Sequence, residues 1–304
     1  IAQLDTMGAY DRFAAELLEP YFAGDTLARE LHAICKAAFD FPIPLRLRKD
    51  GVGVLELFHG PTAAFKDIGA RFLAECLARD PSPKARTVLV ATSGDTGGAV
   101  AAAFHGKPDI EVFVLYPKGK ISARQEKQIA CWRGNVRAVA VNGTFDDCQR
   151  VVKEALRDAE LTKRRRFVSA NSINIARLLA QVTYYAKSSS EYWQQTGETA
   201  GFIVPTGNLG NAFAALWAKR IGFPIGTVVL ATNANRAVPD YFSTGDYRPQ
   251  PTTATLANAM DVGDPSNMER LTWLYPKVDE LRRDVTAISI SDAEITGAIR
   301  TSFA

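Results

Sequence analysis

The sequence of 304 residues predicts an α/β protein whose parallel sheets are covered by helices. From Val52 onward, short apolar runs typical of strands alternate with longer runs whose apolar residues recur at helical spacing. Such alternation is typical of parallel sheets with helices on both faces. The composition, 47% apolar and 23% charged, is that of a globular protein with enough chain for one large or two ordinary domains.

The first 50 residues precede this alternation and predict a helical segment. Two helices are expected within residues 6–39, with Asp25 capping the second, before Pro42 and Pro44 break the pattern. Predicted strands follow at 52–58, 87–91, 111–116, 136–141, 167–170, 202–204 and 226–232. Predicted helices lie at 68–79, 98–104, 123–132, 145–158, 173–185 and 211–221.

The stretch from His59 to Asp67 joins the strand at 52–58, predicted to be buried, to the helix at 68–79. Gly60 and Pro61 mark a turn, which places Lys66 at the helix N-terminus. The helix dipole and partial desolvation both disfavour a positive charge there, and both suit a lysine that attacks a carbonyl group. The alternative, a solvated lysine in a first helical turn, is the one that this stretch alone favours.

Two further loops follow predicted strands and open predicted helices. Residues 92–98 read Thr-Ser-Gly-Asp-Thr-Gly-Gly, and residues 205–211 read Pro-Thr-Gly-Asn-Leu-Gly-Asn. In this geometry, backbone N–H groups and the helix dipole bind anions.

Together these stretches resemble the fold-type II pyridoxal-phosphate-dependent enzymes, and among them the threonine synthase family of bacteria and fungi. Six motifs in the family's order carry the resemblance: ELFHGPTAAFKD (56–67), ATSGDTGGAV (91–100), LYPKGKIS (115–122), SANSINIARLLAQ (169–181), PTGNLGN (205–211) and ATLANAMDVGDPSN (254–267). A single Gly-rich loop is weak evidence, whereas six ordered motifs along nearly the whole chain are strong.

The resemblance implies the tryptophan synthase β-like fold, with two α/β lobes and the cofactor between them. Residues 1–50 are then an N-terminal helical segment, 51–86 and 162–304 a large cofactor-binding lobe, and 87–161 a small inserted lobe. Because the family has longer N- and C-terminal segments, the resemblance also leads us to expect a polypeptide longer than 304 residues.

For the cofactor, pyridoxal 5′-phosphate, the resemblance implies that Lys66 forms the Schiff base and that Phe65 lies beside it. Asp95 is expected near the cofactor's 3′-oxygen. The expected phosphate loop consists of Gly207, Asn208, Leu209, Gly210 and Asn211, where glycine permits close approach of the backbone.

For the substrate, the resemblance implies that Ser93, Gly94 and Thr96 bind the α-carboxylate. It assigns Asn171, Ser172 and Arg177, with Lys120 as a further candidate, to the phosphate of O-phospho-L-homoserine. From the residues alone, the alternative is an ordinary helix cap with a solvated Arg177.

The implied reaction converts O-phospho-L-homoserine and water into L-threonine and phosphate by γ-elimination and β-addition, the last step of threonine biosynthesis. Other fold-type II lyases, such as serine/threonine dehydratases and cysteine synthases, share the lysine and both loops but need no second phosphate site. The alternative from outside the enzymes is a binding protein: a catalytically inactive relative that binds the cofactor or a phospho-metabolite. A nucleotide-binding module is disfavoured, because neither loop matches the dinucleotide or P-loop fingerprint.

The remaining features of the sequence narrow the class of protein. The net charge is +3, and the basic run Lys163–Arg166 favours a solvated turn over a nucleic-acid patch. The four cysteines and three histidines show no metal-ligand spacing, and no apolar run predicts a membrane span. Cys35 and Cys76 lie on apolar helix faces, as small core residues do. Since nothing in the sequence requires a disulfide, we expect a cytoplasmic protein. We also expect a monomer or homodimer that acts on a small-molecule substrate and binds no metal.

Overall fold

The computed structural model describes residues 4–81, 85–92 and 94–303, and the chain divides into two compact units between Ser188 and Ser189. In the first unit the helices are α1 (Tyr10–Leu18), α2 (Leu31–Ala38), α3 (Lys66–Arg79), α4 (Asp95–Phe104), α5 (Ala123–Ala130), α6 (Phe145–Arg157) and α7 (Ala159–Arg164), and α8 (Ile175–Thr196) begins there. Its strands are β1 (Leu45–Leu47), β2 (Gly53–Leu55), β3 (Arg86–Ala91), β4 (Ile110–Pro117), β5 (Val136–Val141) and β6 (Arg166–Ser169).

The second unit contains three strands and five helices within its described residues. The strands are β7 (Ala200–Pro205), β8 (Ile225–Thr232) and β9 (Val285–Ser289). The helices are α9 (Gly210–Arg220), α10 (Ala237–Thr244), α11 (Met268–Leu274), α12 (Val278–Asp284) and α13 (Asp292–Phe303).

The main sheet of the first unit has the order β5-β4-β3-β6, and all its strands are parallel. Val88 of β3 pairs with Val112 of β4 and with Val168 of β6, so valines line up across the sheet. β3 is buried along its whole length, as expected for a central parallel strand. The chain therefore leaves the carboxyl ends of two neighbouring strands after Ala91 of β3 and after Ser169 of β6, where ligands bind in such sheets.

The sheet of the second unit has the order β7-β8-β9 and is also parallel. Val204 and Leu230 are paired and buried, and α9, which follows β7, buries most of its small and apolar residues. The loop at 206–209 leaves the carboxyl end of β7 and leads into α9, as the motif predicted. β9 was not predicted, because it is only five residues long and the whole segment between the polar end of α12 and α13 has only seven residues, 285–291.

The prediction of an α/β fold with parallel sheets is confirmed, whereas two local predictions were wrong. Asp25 caps only a turn, accepting a 2.8 Å hydrogen bond from the N–H of Leu27, and α2 begins later, at Leu31. The run at 52–58 is a short exposed strand in a two-stranded hairpin with β1, and Val54 is 40% exposed. Apolar spacing indicated the strand there but did not determine whether it is buried.

The domain limits remain a prediction. Strand β6 lies beyond the predicted small-lobe limit at residue 161, yet it hydrogen-bonds to β3 in the same sheet as β4 and β5.

The basic run has acidic neighbours on the surface of the first unit. Lys163 pairs with Glu160 at 2.7 Å, Arg166 with Asp80 at 2.9 Å, and Arg165 with Glu111. These pairs support the interpretation of a solvated surface segment.

The buried thiols of Cys35 and Cys76 are free, in agreement with their prediction as core residues. Among the helices in the described ranges, none combines the length and apolar character needed to cross a membrane.

Candidate active site

Lys66 is the first residue of α3, and only 11% of its side chain is exposed. Its Nζ lies 4.6 Å from the centre of the Phe65 ring and donates a 3.3 Å hydrogen bond to Oδ2 of Asp95. Burial lowers the pKa of Lys66, the Asp95 carboxylate raises it in part, and the positive charge of Arg177 lowers it again. The resulting pKa is below the ordinary 10.5, so this amine loses its proton more readily than a surface lysine.

The turn before Lys66 is braced by Asp67. Its carboxylate accepts hydrogen bonds from the N–H of Thr62 at 2.9 Å and from Oγ1 of Thr62 at 2.6 Å. A Cβ on Gly60 would lie 2.6 Å from Oδ2 of Asp67, so only glycine fits without displacing this brace. Ala63 has the left-handed φ of 56° in the same turn. The chain therefore reaches Lys66 in a fixed geometry.

Asp95 is the first residue of α4, and both of its carboxylate oxygens have partners. Oδ2 faces Lys66, and Oδ1 accepts a 2.9 Å hydrogen bond from Nε2 of Gln125. Burial alone would raise the pKa of Asp95, but the Lys66 charge and the two hydrogen bonds lower it below its ordinary value. Asp95 is thus held in its ionised form.

Gln125 was not predicted as a site residue. It also closes the capping box of α5, where its Oε1 accepts a 3.2 Å hydrogen bond from the N–H of Ser122. The Ser122-x-x-Gln125 spacing is a recognisable capping signature, so the sequence indicates its place on a helix. Its contact with Asp95 joins residues 30 positions apart, which the spacing does not reveal.

The predicted carboxylate loop is organised by Thr92. Its Oγ1 donates to the carbonyl of Gly94 at 2.8 Å and accepts from the N–H groups of Gly94 and Gly97 at 3.0 and 2.9 Å. Gly94 precedes α4 and is buried, whereas Thr96 lies half-buried in its first turn. Ser93, also predicted here, lies outside the described residues. Thr92 was not predicted as a site residue.

Asn171 and Asn174 shape the segment between β6 and α8. Asn171 pairs with the backbone of Ala91, donating through Nδ2 to its carbonyl at 2.7 Å and accepting from its N–H at 3.1 Å. Asn174, which was not predicted, donates through Nδ2 to the carbonyl of Ser169 and accepts from the N–H of Ala176 at the start of α8. Because of this cap the helix begins at Ile175, two residues later than expected, and Ser172 lies half-buried before it.

Arg177 is a buried cation, 2% exposed, in the first turn of α8. Its Nη1 donates to the carbonyl of Ala170 at 2.8 Å, but its buried Nε has no hydrogen-bond partner. It forms no ion pair with an acid among residues 4–81, 85–92 and 94–303, and burial lowers its pKa to about 10. The alternative of a solvated Arg177 is therefore wrong.

Lys120 is exposed in the turn after β4, where its N–H donates to the carbonyl of Pro117 at 3.2 Å. Over the described part of the chain, no hydrogen bond or ion pair connects it with Lys66, Asp95 or Arg177. The structure thus links Lys66 with Asp95 by a hydrogen bond and with Arg177 through its charge, and it shows no such link to Lys120 among the described residues.

The second unit contains the predicted phosphate loop. Leu209 has the left-handed φ of 60° at the N-cap of α9 and supplies no capping side chain. A Cβ on Gly207 would lie 2.6 Å from the carbonyl oxygen of Met260, so glycine is required by the close backbone approach. The first-turn N–H groups of α9 are therefore suited to an anion in place of a cap.

The loop is supported from behind by the segment containing the last motif. Oδ1 of Asn208 accepts from the N–H of Ser266 at 2.6 Å, and its Nδ2 donates to Oγ of Ser266 at 2.8 Å. Nδ2 of Asn267, which is fully buried, donates to the carbonyl of Asn208 at 2.8 Å. Ser266 and Asn267 belong to the motif at 254–267, but they were not predicted as site residues.

Each unit contains one group that a pyridoxal-phosphate enzyme needs. In the first unit, a buried lysine with a lowered pKa is the kind of nucleophile that an aldehyde requires. In the second unit, the N-terminus of α9 has no side-chain cap at Leu209 and is suited to a phosphate. These two features are typical of enzymes that use pyridoxal phosphate.

Comparison with protein families agrees. Residues 48–303 match the model of the pyridoxal-phosphate-dependent enzymes, and the chain belongs to that family. Pyridoxal phosphate is accordingly its cofactor.

Within the family, the similar proteins are threonine synthases, which confirms the resemblance inferred from the motifs. The chain is 45% identical to threonine synthase from Haemophilus influenzae over 285 residues, covering 94% of this chain and 67% of that protein. The crystal structure of threonine synthase from Escherichia coli superposes with a TM-score of 0.87 at 41% identity, covering 95% of this chain and 67% of that one. The pyridoxal-phosphate-bound threonine synthase from Brucella melitensis gives a TM-score of 0.83 at 31% identity, with 93% and 68% covered.

The chain spans 49 to 67% of the length of curated threonine synthases that it matches.

Proposed function

We propose that this protein converts O-phospho-L-homoserine and water into L-threonine and phosphate. The observation that carries the proposal is Arg177, a buried guanidinium with no acidic partner among the described residues, whose charge acts on Lys66. A buried charge without a counter-ion is costly, and a substrate phosphate would supply the missing negative charge. The name of its relatives, threonine synthase, supports the same substrate.

Lys66 performs the proton transfers in this proposal. Pyridoxal phosphate, when bound through Lys66, supplies an electron sink for negative charge at the substrate's α-carbon. The amine of Lys66, freed by substrate, removes the proton from that carbon, which its lowered pKa favours. Lys66 next removes a proton from the β-carbon, and phosphate leaves the γ-carbon, which takes up a proton to become the methyl group. Water then adds its hydroxyl to the β-carbon and gives its proton to the departed phosphate, and Lys66 returns a proton to the α-carbon before L-threonine departs.

The other cofactor contacts follow from the positions described above. Phe65 packs against the Lys66 amine, and Asp95 stays ionised beside it, where it orients the amine or the cofactor's 3′-oxygen. Gly207, Asn208, Leu209, Gly210 and Asn211 hold the cofactor phosphate through the N-terminus of α9.

The substrate contacts form two groups. Gly94 and Thr96, together with Ser93, bind the α-carboxylate at the N-terminus of α4. Arg177 and Ser172 bind the substrate phosphate, with Lys120 as a further candidate. Asn171 fixes the course of this segment, because its amide is bound to Ala91.

The test is release of phosphate and formation of threonine from O-phospho-L-homoserine by the cofactor-loaded protein. We expect equimolar products, and we expect Lys66→Ala to abolish both. Lys163→Met, which changes a surface lysine paired with Glu160, is the matched control and should retain activity. Covalent, borohydride-reducible cofactor without phosphate release would refute the substrate while leaving the cofactor role of Lys66 intact. Ammonia release from serine or threonine as the main activity would favour a dehydratase.

We further propose that the protein works in the cytoplasm as a monomer or homodimer. Cys35, Cys76 and Cys148 are buried free thiols, as expected in a reducing compartment. Fractionation of cells and sedimentation of the purified protein test these two points separately.

A further inference from the structure

Helices α3 and α8 approach each other very closely beside the lysine. A Cβ on Gly69 would lie 2.8 Å from the carbonyl oxygen of Arg177 and 3.3 Å from Nε2 of Gln181. Gly69 is three residues after Lys66 on α3, so it lies one helical turn from the amine-bearing residue. The first two turns of α8 are therefore packed against the start of α3.

Two buried side chains in this contact have polar atoms without partners. Arg177 and Gln181 are each 2% exposed, and neither Nε of Arg177 nor Oε1 of Gln181 has a hydrogen-bond partner. Buried polar atoms are normally satisfied, so each exception calls for a physical reason. Here one atom is a donor and the other an acceptor, and the two residues are four apart on one helix, where side chains are neighbours.

We propose that Gln181 is a positioning residue for Arg177: its amide oxygen accepts the Nε–H of the guanidinium through one buried water. With Nη1 held by the carbonyl of Ala170 and Nε by Gln181, the guanidinium plane is fixed on two sides. Nη2, which makes no hydrogen bond among the described residues, is left for an anion. The inference deepens the proposed function, since that anion is the substrate phosphate.

The choice of an amide at position 181 has a specific consequence. A glutamate of the same length would also reach Arg177, but it would neutralise the guanidinium and compete with the anion. Glutamine orients the cation and leaves its charge for the ligand. An acid at this position should therefore improve the folded state and impair anion binding at the same time.

The experiment compares Gln181→Glu and Gln181→Met with the wild type, all loaded with cofactor so that the loop at 207–211 is occupied. Calorimetric titration with inorganic phosphate measures binding at Arg177, and Arg177→Met defines complete loss of that site. For Gln181→Glu we expect phosphate affinity to fall by more than about tenfold, as loss of a charged hydrogen-bond partner predicts, together with a higher Tm. For Gln181→Met we expect a loss of only about three- to fivefold, a raised KM for O-phospho-L-homoserine and a nearly unchanged kcat.

The proposal is overturned if Gln181→Glu binds phosphate as tightly as the wild type, or if both variants weaken binding by the same factor. It is also overturned if wild type and Arg177→Met bind phosphate equally. A wild type that releases no phosphate from O-phospho-L-homoserine, yet binds inorganic phosphate in the pattern expected, would refute the proposed substrate alone and support the role of Gln181.

Discussion

The amine of Lys66, which is buried, and the carboxylate of Asp95, which is half-buried, form a pair 3.3 Å apart at the N-termini of two different helices. The two groups shift each other's pKa, because the carboxylate favours the protonated amine and the ammonium favours the ionised acid. Arg177 acts on the same amine in the opposite direction to Asp95. Burial lowers the pKa of Lys66 most, and two neighbours that can be changed one at a time adjust it in opposite directions.

Removal of Asp95 and removal of Arg177 should shift the pKa of Lys66 in opposite directions. Asp95→Asn should lower the pKa of Lys66 further, and Arg177→Met should raise it. Since only the neutral amine attacks the cofactor, the midpoint for covalent capture of pyridoxal phosphate by the apo-protein should move to lower pH in the first variant and higher pH in the second. Absorbance after mixing measures the midpoint, and Lys163→Met is the surface control. Shifts of the same sign in both variants would contradict this account.

Gln125 should affect the active site, whereas its capping partner should not. Gln125→Leu removes the glutamine half of the α5 capping box and the hydrogen bond to Asp95, while Ser122→Ala removes only the serine half of the box. Each should cost about 1 kcal/mol of unfolding free energy, as measured by denaturant titration. Only Gln125→Leu should raise the pKa of Asp95 and change the pH midpoint for cofactor capture. An equal change in Ser122→Ala would show that the cap, not the contact with Asp95, is responsible.

Two glycine-to-alanine substitutions in helices should have opposite effects on stability. Gly69→Ala places a Cβ 2.8 Å from the Arg177 carbonyl and should destabilise the protein by about 1–3 kcal/mol, as overpacking does. Gly297→Ala meets no atom within 4 Å, and it should stabilise the protein by about 0.5–1 kcal/mol through helix propensity. Thermal unfolding of both variants checks the signs. Stabilisation by Gly69→Ala would mean that α3 and α8 are not in tight contact.

The support behind the phosphate loop should determine cofactor affinity. Asn208→Ala removes the hydrogen bonds of the Asn208 amide to the N–H and Oγ of Ser266, so the loop loses its fixed course. We expect the dissociation constant for pyridoxal phosphate to rise about tenfold, in equilibrium titration of the apo-protein. Thr272→Ala, which removes only a hydroxyl bonded within α11, is the control and should bind the cofactor normally. If Asn208→Ala bound pyridoxal phosphate with normal affinity, the shape of the loop would depend on Gly207 and Leu209 alone.

What the sequence predicted correctly depends on short-range signals. Lys66 was placed at a helix N-terminus because a strand, a turn and an apolar-periodic run follow one another within a few residues. The loops that lead from β3 into α4 and from β7 into α9 were placed for the same reason, and their binding of anions stays a prediction. Asn174 was missed although it carries a local signal, because Ser172 offered an equally good cap two residues earlier.

What the sequence could not predict arises from contacts between distant positions. Gln125 reaches Asp95 across 30 residues, and Asn171 reaches Ala91 across 80. The burial of Arg177 also depends on residues distant in the sequence, because α3 packs against α8 at Gly69. The sequence alone therefore left open whether Arg177 is buried or solvated. Propensity and periodicity describe the elements, whereas these side chains acquire their roles only when the elements pack.

The Asn171 amide pairs with Ala91 as a neighbouring strand would, and Ala91 directly precedes the loop organised by Thr92. The segment leading to Arg177 and the loop leading to Asp95 are thereby joined at their bases. Substitutions in the two segments should then be energetically coupled, with double-mutant effects that differ from the sum of the single effects. A change of substrate preference that reshaped one segment would accordingly require compensation in the other, so this pair of loops should evolve as one unit.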